Sequence, residues 1–194
     1  MSDVSHGSGL REHILMMSRF LRSPSTVGAV SASSRAMARM MVARLPTDRP
    51  VRVVELGPGT GAITNALIEH GVDQKRLVLV EYNPGFCALL RDRYPQARIV
   101  QGDAYALRDS LWDVLKVPAS AVVSGLPLVT KPMLTRLKLV RDAFAALAPG
   151  APFVQFTYSV APPIPKSLPG VSTEASERIW MNLPPARVWV YRKG

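Results

Sequence analysis

The sequence predicts a doubly wound α/β fold that ends in an antiparallel hairpin and is preceded by N-terminal helices. Three observations carry this expectation. From Val51 onward, short apolar runs alternate with helix-compatible segments, the pattern of parallel strands joined by crossover helices. The strand runs are almost continuous in Val, Leu and Ile, as strands covered on both faces require. The first of them runs into Val53-Val54-Glu55-Leu56-Gly57-Pro58-Gly59-Thr60-Gly61, which reads as a strand, a tight glycine turn and a helix start. Glycines there let a ligand lie against the backbone, and the following helix N-terminus offers free N–H groups and partial positive charge.

The first fifty residues differ from the rest. Leu10, Ile14, Met17 and Leu21 recur at helical spacing, with Met16 and Phe20 beside them and Arg11, Arg19 and Arg22 on the other faces. This is a basic amphipathic helix, suited either to a membrane headgroup region or to packing on its own domain. A second helix is expected over 34–45, with Arg35, Arg39 and Arg44 between Met37, Met40 and Met41. Residues 23–33, rich in small hydroxyl side chains, read as a loop that caps helices or touches a ligand. Strands are expected over 51–56, 77–81, 98–101, 121–124 and 152–158. Helices are expected over 62–70, 84–94, 105–115 and 133–147. Residues 160–176 read as a proline-rich polar loop over the carboxyl edge of the sheet, a place where long loops are often functional. Runs 177–183 and 186–193, joined at Pro184-Pro185, read as the antiparallel hairpin. Residues 1–50 thus form an extension and 51–194 the main domain.

Composition narrows the partners. The 194 residues are 47% hydrophobic and carry a formal net charge of +10, so the chain folds and favours an anionic partner, nucleic acid or an anionic membrane surface, unless it is simply a basic enzyme. Cys87 is the one cysteine, so no intrachain disulfide forms and a reducing compartment fits. Its helix neighbours Phe86, Leu89 and Leu90 make it a small core residue. His6, His13 and His70 lack metal-ligand spacing, and no metal is expected. No apolar run approaches the roughly 20 residues that span a bilayer. Arg11, Glu12 and Arg19 break any leader-like pattern. A cytoplasmic location is expected, with a membrane surface open.

In open α/β sheets the ligand lies beyond the carboxyl ends of the strands, so the residues ending each strand matter most. The second strand ends in Glu81-Tyr82-Asn83, and an acid there can accept both hydroxyls of a ribose. The third runs into Gly102-Asp103-Ala104, which suits the edge of a purine. The fourth ends in Ser124-Gly125-Leu126-Pro127-Leu128. Gly57, Gly59 and Ala62 also fit a dinucleotide-binding loop, but Glu55 directly before the loop and the terminal hairpin speak against it. Glu55 can orient an ammonium. Ribose, adenine and an amino-acid end together describe S-adenosylmethionine.

These residues resemble the class I S-adenosylmethionine-dependent methyltransferases over about residues 51–193. The resemblance implies a Rossmann-like seven-stranded methyltransferase sheet, mostly parallel with an antiparallel C-terminal hairpin. A closer resemblance rests on Phe20-Leu21-Arg22-Ser23-Pro24, Gly28-Ala29-Val30-Ser31-Ala32-Ser33-Ser34, the Glu55 to Gly61 loop and Ser124-Gly125-Leu126-Pro127. Together these look like the small soluble bacterial phospholipid N-methyltransferases. That family implies methylation of phosphatidylethanolamine in up to three steps toward phosphatidylcholine. It implies a cytoplasmic monomer bound peripherally to the inner face of the cell membrane through the 10–21 helix, with the extension acting as membrane anchor and substrate lid. Kinship with the ribosomal RNA adenine dimethylases keeps an RNA-modifying adenine N6-methyltransferase as the alternative, although nucleic acid is not the expected partner. The cofactor residues implied are Ser31, Ser33, Glu55, Leu56, Gly57, Pro58, Gly59, Gly61, Glu81, Tyr82, Asn83, Gly102, Asp103, Ala104, Ser124, Gly125 and Leu126, with S-adenosylhomocysteine as the product.

Methyl transfer to an amine is an in-line displacement that asks mainly for positioning. Tyr158 is a candidate to accept a hydrogen bond from the amine or relay its proton, and Ser124 and Lys131 are the candidates beside the fourth strand. Enzymes acting on base amines present a stacking aromatic at the position held here by Leu128, which favours an aliphatic amine, although Trp180 or Tyr105 can replace that platform. A lipid phosphate needs a cation. Lys131 is the first choice and Arg187 the second, Arg136 lies nearby, and Lys138 and Arg141 read as a solvated helix face. Tyr158, Trp180 or Trp189 can hold a quaternary ammonium by cation–π attraction, with Trp189 better read as core.

Overall fold

The computed structural model describes residues 27–46, 51–111, 113–159, 161–180 and 185–194. Helix α1 spans Val27–Val42, β1 Val53–Leu56, α2 Ala62–Glu69, β2 Leu77–Glu81, α3 Pro84–Arg93 and β3 Arg98–Gln101. A 3₁₀ turn at Ala104–Ala106 leads into α4, Leu107–Leu111. Strand β4, Ala121–Ser124, leads through a second 3₁₀ turn at Leu128–Thr130 into α5, Met133–Ala146. Strands β5 (Pro152–Thr157), β6 (Val171–Ala175) and β7 (Arg187–Lys193) complete the order.

The seven strands form one sheet in the order β3-β2-β1-β4-β5-β7-β6. Strands β1 to β5 pair in parallel, and β7 inserts antiparallel between β5 and β6. Strand order reverses between β1 and β4, so the crevice at their carboxyl ends is where a ligand is expected. The central strands are buried along their whole length because helices cover both faces. On one face Met41, Leu67 and Leu90 of α1, α2 and α3 pack on Val53, Leu79, Val123 and Val154. On the other, Leu107, Leu139 and Ala143 of α4 and α5 pack on Val54, Val122, Phe153 and Tyr191. Cys87 is buried as expected.

Three elements differ from the sequence expectation. Helix α1 starts at Val27, so residues 27–33 are helical and not loop; core packing of Met37, Ala38 and Met41 outweighs the modest helix propensity of the serines. The outer strand of the terminal hairpin is Val171–Ala175, and residues 177–180 hold only an isolated bridge from Ile179 to Ala186, just before β7. An edge strand needs one wet face, and its Val-Ser-Thr-Glu-Ala alternation looked like polar loop. The helix expected over 105–115 breaks into a 3₁₀ turn and the short α4, because the Asp103 carboxylate caps the turn by accepting the Tyr105 N–H. The helix expected over 10–21 lies outside the described residues.

Met41 is fully buried on α1, which gives a direct test of whether this helix belongs to the core. Met41→Ala is expected to cost about 2–5 kcal/mol in chemical denaturation; a loss below about 0.5 kcal/mol would mean that α1 packs as a detachable appendage.

Candidate active site

The site grows from the carboxyl ends of β1, β2 and β4, where the parallel ladder runs out into loops. Gly57 N–H donates to Val80 O at 2.9 Å, Gly125 N–H to Leu56 O at 2.8 Å and Gly102 N–H to Glu81 O at 3.0 Å. These bonds draw three strand ends together. A Cβ on Gly125 would stand 2.9 Å from the Gly57 carbonyl oxygen, and one on Gly57 would stand 2.7 Å from Leu126 Cδ2. The β1 and β4 loops therefore touch at a distance that only glycine permits.

Gly57, Gly59 and Gly61 have φ of 67°, 56° and 87°, in the left-handed region that other residues rarely adopt. Beside Gly59 no protein atom lies within 4 Å of where a side chain would begin, so the loop faces open space there. Gly61 ends the loop as the N-cap of α2, with no side chain capping the helix. The N–H groups of Ala62 and Ile63 at the start of α2 are thus available to a polar ligand, while that of Thr64 faces the Glu55 carboxyl. Helix α3 braces the loop from behind: Arg93 donates to Thr60 O at 2.7 Å, and the Tyr94 hydroxyl lies 2.8 Å from Asn65 Oδ1 and 3.1 Å from Gly61 O.

Three acids sit around this loop, each in a different setting. Glu55 is fully buried. Its Oε2 accepts from the Thr64 hydroxyl at 2.7 Å, while Oε1 has no partner. Burial pushes its carboxyl up to about 8, against the Thr64 bond, which pulls it down. An enclosed carboxylate with one empty oxygen lacks a cationic donor, and the ammonium of an amino-acid group fits that deficit. Glu81 bridges two loops, Oε2 accepting from Gly59 N–H at 3.0 Å and Oε1 from Asn83 N–H at 2.8 Å. Each oxygen keeps a further lone pair, so a vicinal diol can still be accepted. Asp103 is exposed at the end of β3, with one oxygen committed to the Tyr105 N–H at 2.8 Å. Ala104 beside it is buried, and Tyr82 after Glu81 is exposed, leaving a flat aromatic surface at the β2 end. Asn83 caps α3 through its side-chain oxygen, which accepts from Gly85 and Phe86.

The acceptor-side candidates are less tightly gathered. Ser124 is fully buried and its Oγ accepts from Leu126 N–H at 3.4 Å, so it braces the β4 loop. Tyr158 follows β5 half-buried, packed edge-on against Phe156 at 5.4 Å, and burial raises its phenol. Lys131 Nζ lies over the Tyr105 ring at 4.9 Å. Arg187 begins β7, with Cζ 5.9 Å from the Trp189 ring. No hydrogen bond, ion pair or ring contact links Tyr158, Lys131 and Arg187 among the described residues, although Thr157 beside Tyr158 is the register partner of Arg187. Leu128 is buried in the core, so it presents no surface to a substrate, aliphatic or otherwise. Lys138 and Arg141 both pair with Asp142, and Arg136 donates to the carbonyls of Val129, Lys131 and Pro163; these cations hold the structure together. Trp189 is core, as its place on an alternating strand suggests, and Trp180 is exposed. Ser31 and Ser33 fall on α1. Sequence reasoning missed Thr64 and Gln155, although a lone glutamine inside Phe153-Val154-Gln155-Phe156 was a visible anomaly.

The comparisons with known proteins agree with this geometry. TrmN from Thermus thermophilus superposes with a TM-score of 0.63 at 18% identity, over 87% of this chain and 53% of that one, a likeness of fold. A family profile described as "Ribosomal RNA adenine dimethylase" matches residues 17–112. An ornithine lipid N-methyltransferase of Singulisphaera acidiphila is 30% identical over 151 residues, 76% of this chain and 79% of that protein. The chain belongs to the class I S-adenosylmethionine-dependent methyltransferases. A ribosomal RNA small subunit methyltransferase A of Chlorobium chlorochromatii is 32% identical over 94 residues, 48% of this chain but only 34% of that protein. The cofactor of this methyltransferase is S-adenosylmethionine. The orphaned Glu55 oxygen, the side-chain-free Gly59 and the bridging Glu81 carboxylate fit its amino-acid and ribose groups.

Because the Glu55 carboxyl is raised by burial from 4.5 to about 8, the unfolded chain ionises first as pH rises. Folding stability is therefore expected to fall between about pH 4.5 and 8 and to level off above that, by an amount of order 5 kcal/mol. Glu55→Gln should remove this slope in denaturation measured across that window, whatever its effect on absolute stability. An unchanged slope would place the ionisation on another group.

Proposed function

We propose that this methyltransferase N-methylates phosphatidylethanolamine, successively to the mono- and dimethyl lipids and to phosphatidylcholine, at an anionic membrane surface. The observation that carries the reading is the match to a lipid N-methyltransferase across 79% of that protein's length. That match spans 151 residues and so reaches beyond residue 112, where the ribosomal RNA adenine dimethylase match stops. A ribosomal RNA small subunit methyltransferase A of Geobacter sulfurreducens also matches over 133 residues but over only 47% of its own length, whereas the lipid-type match accounts for most of that relative. The net charge of +10 suits an anionic bilayer, and no described helix is long and apolar enough to cross one. Residues 1–50 are proposed as a membrane-binding and lid segment on the domain formed by 51–194.

When bound, S-adenosylmethionine supplies an activated methyl group on a sulfonium. Glu55, the Gly57-Pro58-Gly59 turn with Leu56 and Gly61, Glu81 with Tyr82 and Asn83, and Gly102-Asp103-Ala104 are the residues proposed to hold it. Ser31 and Ser33 on one side and Ser124-Gly125-Leu126 on the other complete that set. The chain's remaining task is to present a neutral amine in line with the methyl carbon. Desolvation near the loop favours the neutral amine. Tyr158 has its phenol raised by burial, so at neutral pH it stays protonated and takes part as a hydrogen-bonding group rather than as a base.

A second reading, methylation of an RNA adenine, is favoured by the dimethylase match over 17–112. One assay separates the two. Radiolabelled methyl is expected to pass from S-adenosylmethionine to phosphatidylethanolamine in mixed vesicles and not to ribosomal RNA; the reverse pattern overturns the lipid reading. Tyr158→Phe is expected to lower kcat roughly 10-fold without reshaping the pH profile, and full activity in that variant would remove Tyr158 from the amine's surroundings.

A further inference from the structure

One row of side chains crosses the carboxyl edge of the sheet. Leu56, Ser124, Gln155 and Trp189 are register partners on β1, β4, β5 and β7, and all four are buried. The last two carry unmet polar atoms. Gln155 spends both amide hydrogens on carbonyls, Leu126 O at 2.9 Å and Phe156 O at 2.7 Å. This fixes the amide, and its Oε1 is left with no donor. Trp189 is 1% exposed and its indole N–H has no acceptor; neither has the buried Nε of Arg187, two residues earlier on β7. Two cations converge on the same indole: Lys166 Nζ lies 5.2 Å and Arg187 Cζ 5.9 Å from the ring centre.

Other cations on this side of the molecule are already used. Asp142 takes Lys138 and Arg141, Glu174 takes Arg192, and carbonyls take Arg136. Among the described residues no carboxylate pairs with Lys166 or Arg187. The group around Trp189 therefore consists of donors without an acceptor, and two cations placed on one buried ring with no carboxylate beside them call for an anion. Lys131, by contrast, is held over Tyr105 on the far side of β4. Moving outward from the glycine loop, the row presents first a lone acceptor, Gln155 Oε1, and then, one strand spacing of about 5 Å further, the donor cluster. That order matches an amine joined to a phosphate by a two-carbon bridge, with the amine toward the cofactor loop.

We propose that Lys166, Arg187 and the indole N–H of Trp189 form the phosphodiester subsite for the acceptor lipid, with Gln155 Oε1 facing its amine. The assignment rests on the lipid reading above and specifies how that acceptor is held. Lys166 belongs to the loop over 161–170 that packs on β7 through Ile164, whose carbonyl accepts from Tyr191 at 3.4 Å. Strand β7 is antiparallel, which is why residues near the chain end reach the carboxyl edge at all.

The test uses the full chain and three acceptors: phosphatidylethanolamine, an amino lipid of equal chain length with no phosphate, and ribosomal RNA. Lys166→Ala and Arg187→Gln are expected to raise KM for phosphatidylethanolamine roughly 10-fold or more. KM for S-adenosylmethionine and turnover of the phosphate-free lipid should stay within about two-fold, and Arg187→Lys should recover part of the loss. Inorganic phosphate should compete with phosphatidylethanolamine and not with the phosphate-free lipid, which separates a phosphodiester subsite from general anion inhibition. Because Lys166 is exposed, its variant keeps the test free of folding effects. Unchanged KM for phosphatidylethanolamine in both variants, or equal losses on both lipids, overturns the subsite while leaving the lipid reading in place. Transfer to RNA with none to either lipid overturns the lipid reading and this occupant together.

Discussion

The bond from the Thr64 hydroxyl to Glu55, 2.7 Å long and fully buried, is the contact around which the donor side is arranged. It links the end of the central strand to the first turn of α2 across the glycine loop. A carboxyl in that position is costly to ionise, and the hydrogen bonding from Thr64 does not offset its burial; hence the upward shift to about 8. The loop between the two partners has little room. It must turn through three left-handed glycines and pass against Gly125. The bracing by Arg93 and Tyr94 from α3 and the Glu81 clamp on Gly59 hold that turn before any ligand arrives, which is preorganisation in the usual energetic sense.

The proposed acceptor side follows a different logic. Its candidate residues come from β4, β5 and β7, and β7 enters the sheet antiparallel. Residues near the chain end are therefore delivered beside residues that lie thirty and sixty positions earlier. The polar atoms left unmet here, the Gln155 amide oxygen and the Trp189 N–H in the row and the Arg187 Nε–H two residues before it, are costly in a core unless a substrate completes them.

Much of the donor side was legible in the sequence because it is written locally. Val53 to Gly61 states strand, turn and helix in nine consecutive residues, and Glu81 and Asp103 stand at the ends of the next two strands, where the topology puts them in one crevice. The acceptor side was legible only in part. Arg187 could be named from its place on the hairpin, but its company could not. Lys166 meets Trp189 through a loop contact between residues 23 positions apart, and Gln155 meets Trp189 through register. The outer strand differs from expectation because Val171 to Ala175 alternates as an edge strand does, while residues 177–180, the described part of the more apolar run, hold only the Ile179–Ala186 bridge. Leu128 illustrates a further limit. Its identity suggested an aliphatic acceptor, yet its side chain turns into the core, a direction set by the 3₁₀ turn and invisible in the residue type.

The account depends most on Glu55 being a carboxyl that the cofactor's ammonium completes. Calorimetry of S-adenosylhomocysteine binding at pH 7, run in two buffers of different ionisation enthalpy, measures this through the protons released. With the carboxyl raised to about 8 when alone and ionised when paired, binding is expected to release about one proton per site, and Glu55→Gln should abolish the release. Equal binding enthalpies in the two buffers for the unaltered protein would contradict it.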